Sequence, residues 1–194
     1  MKLTIPSGPF EAYLFDLDGT IANSLPLHFK AWNEALAPHG TAMPEDLFFA
    51  WGGIPVPKTV EMLNDHFQIK LPIDEVSRAR EQAYLDMINE VKAHEAVETI
   101  IRANYQRIPM AVVSGSARSS IVKTLTRLNL SEFFTALLGA EDYSKGKPDP
   151  EPFLQGARVL GVDPKKCLAF EDAEPGIQSA LAAGMQVVRI PQRF

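Results

Sequence analysis

The sequence predicts an α/β protein, a parallel sheet flanked by helices with one all-helical segment inserted after the first strand. Three observations predict it. Short apolar runs of strand length recur, and several end in Asp, Glu or Ser. Between the later runs, apolar residues return at three- and four-residue spacing, the period of an amphipathic helix. Residues 25–91 hold helical patterns and no convincing strand. A strand–helix–strand–helix alternation is the mark of a parallel sheet, whose ligands bind at the carboxyl ends of the strands.

The first strand is Ala12-Tyr13-Leu14-Phe15. It is short, apolar and followed by Asp16 and Gly19, as a buried parallel strand would be. Helical patterns then cover residues 26–37, 57–67 and 74–91, the last with Asp74 as its expected N-cap. Pro38-His39-Gly40, Gly52-Gly53 and Leu71-Pro72 punctuate them. Strands follow at residues 110–113, 136–138, 167–170 and 186–190. A helix over 116–128 repeats Ile121, Val122, Leu125 and Leu128. One over 150–160 repeats Phe153, Leu154, Ala157 and Leu160, with Pro150 early and Gly161 just past its end. A third, over 175–183, repeats Ile177, Ala180 and Leu181 and stops at Gly184. The expected division is a core of residues 1–24 and 92–194 and a helical cap of residues 25–91. The crossings near 22–25 and 91–96 are candidate hinges.

Composition narrows the function classes. The chain has 194 residues, 46% hydrophobic and 22% charged, close to globular averages, which excludes wholesale disorder. Lys plus Arg number 19 against 24 Asp plus Glu, a net charge of −5. A nucleic-acid binder would carry a basic footprint instead. Cys167 is the single cysteine, so no internal disulfide forms and nothing requires an oxidising compartment. No stretch approaches 18 apolar residues, and the first ten residues, with Pro6, Gly8 and Pro9, hold no apolar run of signal-peptide length. The expectation is a soluble, cytoplasmic, monomeric protein with a small-molecule partner and neither nucleic acid nor membrane.

Four strand ends carry chemistry. Asp16-Leu17-Asp18-Gly19-Thr20 closes the first. Carboxylates at i and i+2 of an extended chain point to one side, where they repel unless one takes up a proton or a cation sits between them. Alone, the motif also reads as an acidic turn. Ser114-Gly115-Ser116 ends the second strand and opens a helix, a place for an anion or an ordinary Ser N-cap. Lys147, in Lys145-Gly146-Lys147-Pro148-Asp149-Pro150, follows the third strand and could neutralise a phosphate or be a solvated loop lysine; the P-loop spacing is absent. Glu171-Asp172 ends the fourth, where hard oxygens suit Mg²⁺ or Asp172 caps the next helix. Independent accidents at all four ends are improbable.

Together these motifs resemble the haloacid dehalogenase (HAD) superfamily of phosphotransferases. Asp16-Leu17-Asp18-Gly19-Thr20 matches its first motif, Ser114 its second, Lys147-Pro148-Asp149-Pro150 its third, and Glu171-Asp172 with Gly176-Ile177 its fourth. The segment from Asn23 to Trp32 is similar to the β-phosphoglucomutase-like branch, which includes fructose-1-phosphatase-like sugar phosphatases. The resemblance implies a Rossmann-like core with an all-helical cap, and an Mg²⁺-dependent phosphomonoesterase acting on a small sugar phosphate. By it, Asp16 is the nucleophile that becomes an aspartyl phosphate, and Asp18 the general acid–base. Mg²⁺ is held by Asp16, the Asp18 carbonyl and Asp172, with Glu171 acting through water. Ser114, Gly115, Ser116 and Lys147 steady the phosphoryl charge. His28, Trp51, Gly52 and Lys58, with Phe48 and Gly53 nearby, are the cap residues expected to meet the substrate. Met43, Met62 and Met87 read as packing, and Cys167 as buried filler.

Three alternatives accompany this reading. A phosphomutase of the same branch binds a second phosphate with basic cap residues, and this chain has Gly52 and Val56 where the mutase has a lysine and an arginine. A non-catalytic HAD scaffold would be expected to lose Asp16, Asp18, Lys147 or the fourth-motif acid, and none is lost. A dehalogenase has no leaving alkoxide to protonate, so Asp18 speaks against it.

Overall fold

A computed structural model describes residues 3–191; Met1, Lys2 and residues 192–194 of the expected core lie outside the described residues. The elements run β1 (Ala12–Phe15), α1 (Leu25–Leu36), α2 (Glu45–Ala50), α3 (Val56–Phe67), α4 (Ile73–Asp86), α5 (Glu95–Asn104), β2 (Met110–Val113), α6 (Arg118–Leu128), β3 (Ala136–Leu138), α7 (Glu151–Leu160), β4 (Cys167–Glu171), α8 (Glu174–Ala182) and β5 (Gln186–Arg189). All five strands are parallel, in the order β3-β2-β1-β4-β5. The order places β1 at the centre, with β2 and β4 beside it. The ends of the three strands that carry Asp16, Ser114 and Glu171 are therefore adjacent.

Side chains of a strand alternate between faces, and the strands here are apolar on both. Tyr13, Phe15, Val112 and Phe170 pack on one face with Val97 and Ile101 of α5 and Ile121 and Leu125 of α6. Ala12, Leu14, Ala111, Val113 and Ala169 pack on the other with Phe153 and Ala157 of α7 and Ala180 of α8. Both faces are thus covered, which a parallel sheet requires. Cys167 is fully buried, and burial pushes its thiol up to about 11.

The helices α1–α4 form their own apolar cluster, in which Trp32, Leu36, Val60, Leu63 and Val76 are buried together. The chain enters and leaves this layer side by side. The Asn23 N–H donates to the Lys92 carbonyl (2.8 Å) and the His94 N–H to the Ile21 carbonyl (2.8 Å). Ala22, Tyr84, Met87 and Val91 close the junction with a second small cluster.

Several expectations are corrected. Pro72, not Asp74, stands at the N-cap of α4, and Asp74 lies in the first turn. Helix α4 stops at Asp86, and residues 88–90 form a separate short turn of helix. Helix α6 starts at Arg118 with Ala117 at its N-cap, so neither Ser114 nor Ser116 is a capping residue. Asp172 does not cap α8 either, since Ala173 holds that position. Helices α2 and α5 have no counterpart in the sequence reading. Helix α2 is only six residues, too short for its period to stand out. Among the described residues no helix is long and apolar enough to cross a membrane.

Candidate active site

The turn after β1 brings the first two acids into place. The Asp16 N–H donates to the Phe170 carbonyl (2.9 Å), and the Ala22 N–H returns to the Leu17 carbonyl (2.8 Å). Gly19 sits at φ 90°, in the left-handed region, and a Cβ there would lie 2.2 Å from the Asp172 Oδ2. Glycine therefore serves twice, allowing the turn and letting the β4 end come close. Thr20 Oγ1 then donates to Asp172 Oδ1 (3.0 Å). Helix α8 comes equally close on the other side, because Gly176 has no Cβ where the Glu171 carboxyl group lies.

One charged cluster forms at these strand ends. Asp16, Glu171, Asp172 and Lys147 are all buried. Lys147 Nζ donates to Asp16 Oδ1 (2.7 Å) and also to Glu171 Oε1. Oxygens of Asp16, Glu171 and Asp172 lie within 4.8 Å of one another. Burial pushes the Asp16 carboxyl well above the usual carboxylate range; Lys147 opposes this, while Glu171, Asp172 and Asp18 add to it. Burial works against the charge of Lys147, but Asp16 and Glu171 outweigh it and hold the ammonium well above its ordinary range. Three buried acidic groups stand against one lysine, an excess of oxygen donors over cations. Hard oxygens with that excess fit a divalent cation of the Mg²⁺ type.

Asp18 lives in a separate network. It accepts hydrogen bonds from Ser24 Oγ (2.8 Å) and His28 Nε2 (2.6 Å) on one oxygen and from Ser116 Oγ (2.7 Å) on the other. Behind it, Arg80 donates to His28 Nδ1 (2.8 Å), and Tyr84 stacks on the imidazole with ring centres 3.9 Å apart. A guanidinium has no acceptor, so Nδ1 must be the unprotonated nitrogen and Nε2–H the donor to Asp18. The imidazole is neutral. Burial and the Arg80 charge hold its pKa below the ordinary histidine value, against the pull of Asp18. Burial would raise the Asp18 carboxyl, but His28, Ser116 and Ser24 outweigh it and hold Asp18 below the usual range.

Ser114, at the end of β2, is fixed from both sides. Its Oγ accepts from the Ser116 N–H (3.1 Å), and its carbonyl accepts from the Tyr143 hydroxyl (2.7 Å). Burial pushes that phenol up to about 12, so it remains a donor. The loop after α2 seats on this strand end. A Cβ on Gly115 would fall 2.6 Å from the Gly53 carbonyl oxygen.

A single cavity joins these parts. Asp16, Asp18, Ser114, Gly115, Ser116 and Asp172 form its floor. From the cap, His28, Trp51, Gly52, Gly53, Val56 and Phe48 line it as well. Lys147 lies beneath, against Asp16. Lys58 is not among the lining residues; it is exposed and donates to Glu61 (2.7 Å). One residue along α3, Thr59 faces the cavity instead. Met43 packs in the buried cluster of α1–α4, as expected, and lines the cavity too. Arg80 and Tyr143 have no place in the sequence reading, and Thr20 and Ser24 enter it only as members of the motifs, with no site role. Arg80 had a signal, since Val76, Arg80 and Tyr84 recur at four-residue spacing and all three are buried. A charged residue on the apolar stripe of a helix asks for a partner.

The family model for haloacid dehalogenase-like hydrolases matches residues 13–190. The chain belongs to this family. It is a hydrolase of the phosphatase type. It is 32% identical over 181 residues to a fructose-1-phosphate phosphatase of Escherichia coli (strain K12), covering 93% of this chain and 96% of the relative. It is 30% identical over 189 residues to a β-phosphoglucomutase of Bacillus subtilis (strain 168), covering 94% and 84%. A crystal structure of β-phosphoglucomutase from Clostridium difficile shares the fold, with a TM-score of 0.83 at 24% identity, covering 92% of this chain and 83% of that one.

Proposed function

We propose that the hydrolase cleaves the monophosphate ester of a small sugar in two steps, with Mg²⁺ as its metal and residues 25–91 acting as a cap. The observation that supports this most is the division of labour on the cavity floor. Asp16 stands in the charged cluster with Lys147, Glu171 and Asp172, while Asp18 is held apart by Ser24, Ser116 and His28. Two carboxyl groups with different partners can take the two roles: a divalent cation bound beside Asp16 would favour the ionised form that attacks, and a phosphate dianion beside Asp18 would raise its carboxyl towards the protonated form that acts as acid. A carboxylate oxygen of Asp16 attacks phosphorus, the ester P–O bond breaks, and the leaving oxygen takes a proton from Asp18. Water then attacks the aspartyl phosphate, giving its proton to Asp18 and releasing Asp16 and inorganic phosphate. The Ser24 and Ser116 hydroxyls can turn from donor to acceptor, so Asp18 keeps partners in both protonation states. Asp16 and Asp172, with Glu171, would hold the cation, which when bound offsets the charge of phosphate and nucleophile. Ser114 on the cavity floor would meet the phosphoryl oxygens with its hydroxyl.

The test is inorganic phosphate release from a panel of sugar phosphates with and without Mg²⁺. Asp16→Asn is expected to lower turnover by about a thousandfold or more with an unchanged circular-dichroism spectrum. Wild-type turnover by that variant would overturn the proposal. The 30% identical β-phosphoglucomutase keeps a mutase reading in view. Conversion of glucose 1-phosphate to glucose 6-phosphate, rather than phosphate release, would establish it.

A further inference from the structure

The cap side of the cavity differs from its floor. Trp32, Phe48, Phe49 and Trp51 put four aromatic side chains on it among aliphatic ones such as Ile54 and Val56, an apolar wall. Apart from the indole N–H groups of Trp32 and Trp51, its polar side chains are His28, Thr59 and Arg80, and each is already engaged. His28 uses both ring nitrogens, on Asp18 and Arg80. Thr59 Oγ1 donates to the Pro55 carbonyl (3.3 Å). Arg80, the one cation on this wall, is paired with Glu81 (3.2 Å), donates to His28, and lies 5.6 Å from the Trp32 ring centre. Only its Nε–H is buried with no hydrogen-bond partner. Lys58, the other nearby cation, faces solvent beside Glu61.

We propose that this wall selects phosphate monoesters whose organic group is uncharged and presents a face of C–H bonds, and that it rejects esters bearing a second anion. This rests on the phosphatase reading above and names the substrate class of that site. A second phosphate or carboxylate would lose its water against aromatic rings with no free cation to meet it, which is strongly unfavourable. Aromatic rings instead offer wide apolar area to the C–H face of a sugar or polyol. A mutase must hold a bisphosphate, so the same wall favours release of phosphate to water.

The experiment compares kcat/KM for matched pairs, after activity on p-nitrophenyl phosphate has been measured. Fructose 1,6-bisphosphate against fructose 1-phosphate, and phosphoglycolate against 2-hydroxyethyl phosphate, each add one anion. The charged member is expected to be at least tenfold poorer. For 2-deoxyribose 5-phosphate against ribose 5-phosphate the deoxygenated ester is expected to be equal or better. Equal turnover of charged and uncharged partners would overturn the inference while leaving the phosphatase reading intact. Absence of phosphate release from every ester, p-nitrophenyl phosphate included, would overturn both. Val56→Lys places a cation on the wall and is expected to raise the bisphosphate-to-monophosphate ratio about tenfold, whereas Val56→Leu is not; an unchanged ratio in a folded Val56→Lys enzyme would also count against it.

Discussion

Arg80 is flanked in sequence by Arg78, Ala79 and Glu81, an ordinary charged stretch of helix. Its burial at 6% exposure sets it apart. The guanidinium fixes the His28 tautomer, and His28 in turn donates to Asp18, so a residue with no place in the motifs orients one that has. Replacing Arg80 with Met keeps the aliphatic stem but strands His28 Nδ1 and one oxygen of Glu81. Leaving buried groups unpaired costs about 1–3 kcal/mol. We expect Arg80→Met to lose about that much stability in urea unfolding and to lower kcat about tenfold or more. Arg80→Lys should recover part of both, because one donor can still reach the imidazole.

At the scale of the element, two contacts set where strand ends and helices meet. Helix α8 approaches β4 so closely that a Cβ on Gly176 would fall among the carboxyl atoms of Glu171, 1.8 Å from Oε1. Gly176→Ala must move either the helix or Glu171, the partner of Lys147. The expected cost is about 1–3 kcal/mol, as for other overpacked sites, with a loss of turnover larger than the stability change explains. Urea unfolding and kinetics on the same preparation check it. Helix α7 starts with Glu151, whose carboxylate accepts from the Ser144 N–H (2.8 Å), the Ser144 hydroxyl (2.8 Å) and the Lys145 N–H (2.9 Å). This ties down the loop that delivers Lys147. The Ser144 backbone and side-chain hydrogen bonds hold the Glu151 carboxyl below its ordinary value. A depressed folded pKa contributes stability above the unfolded pKa, and that contribution fades as pH falls through the folded one. Glu151→Gln should therefore melt below wild type at neutral pH, and the gap should close in acid. A gap that stayed constant from pH 7 to pH 3 would contradict the assignment.

At the scale of the whole molecule, α4 of the cap rests on α6 of the core through a buried polar pair. The Tyr84 hydroxyl and Thr124 Oγ1 are 2.9 Å apart, and Glu81 meets Ser120 a turn away. Tyr84 packs with Ala22 and Val91, so the pair ties cap to core close to the candidate hinges at residues 22–25 and 91–96. Tyr84→Phe leaves a buried hydroxyl on Thr124 without this partner, at a cost of about 1 kcal/mol. Adding Thr124→Val should return much of it. A double-mutant cycle in urea checks this, and additive losses would show that the two groups do not act as a pair.

What the sequence determined by itself is the order of the five strands, most of the helices between them, and the four strand ends. Apolar runs at β1, β2 and β4, each closed by Asp, Ser or Glu, follow from burial on both faces of a parallel sheet, and such a pattern is local enough to read. The helical character of residues 25–91 was legible for the same reason. Tertiary structure alone decided which side chains of the cap reach the floor. Lys58 and Thr59 are neighbours in the sequence, yet about 100° of helical turn separates them, and only Thr59 faces the cavity. Arg80 and His28 stand 52 residues apart, so no local pattern joins them. Strand ends share a site because the sheet brings them side by side, whereas the cap meets that site only through the packing of one helical layer on another.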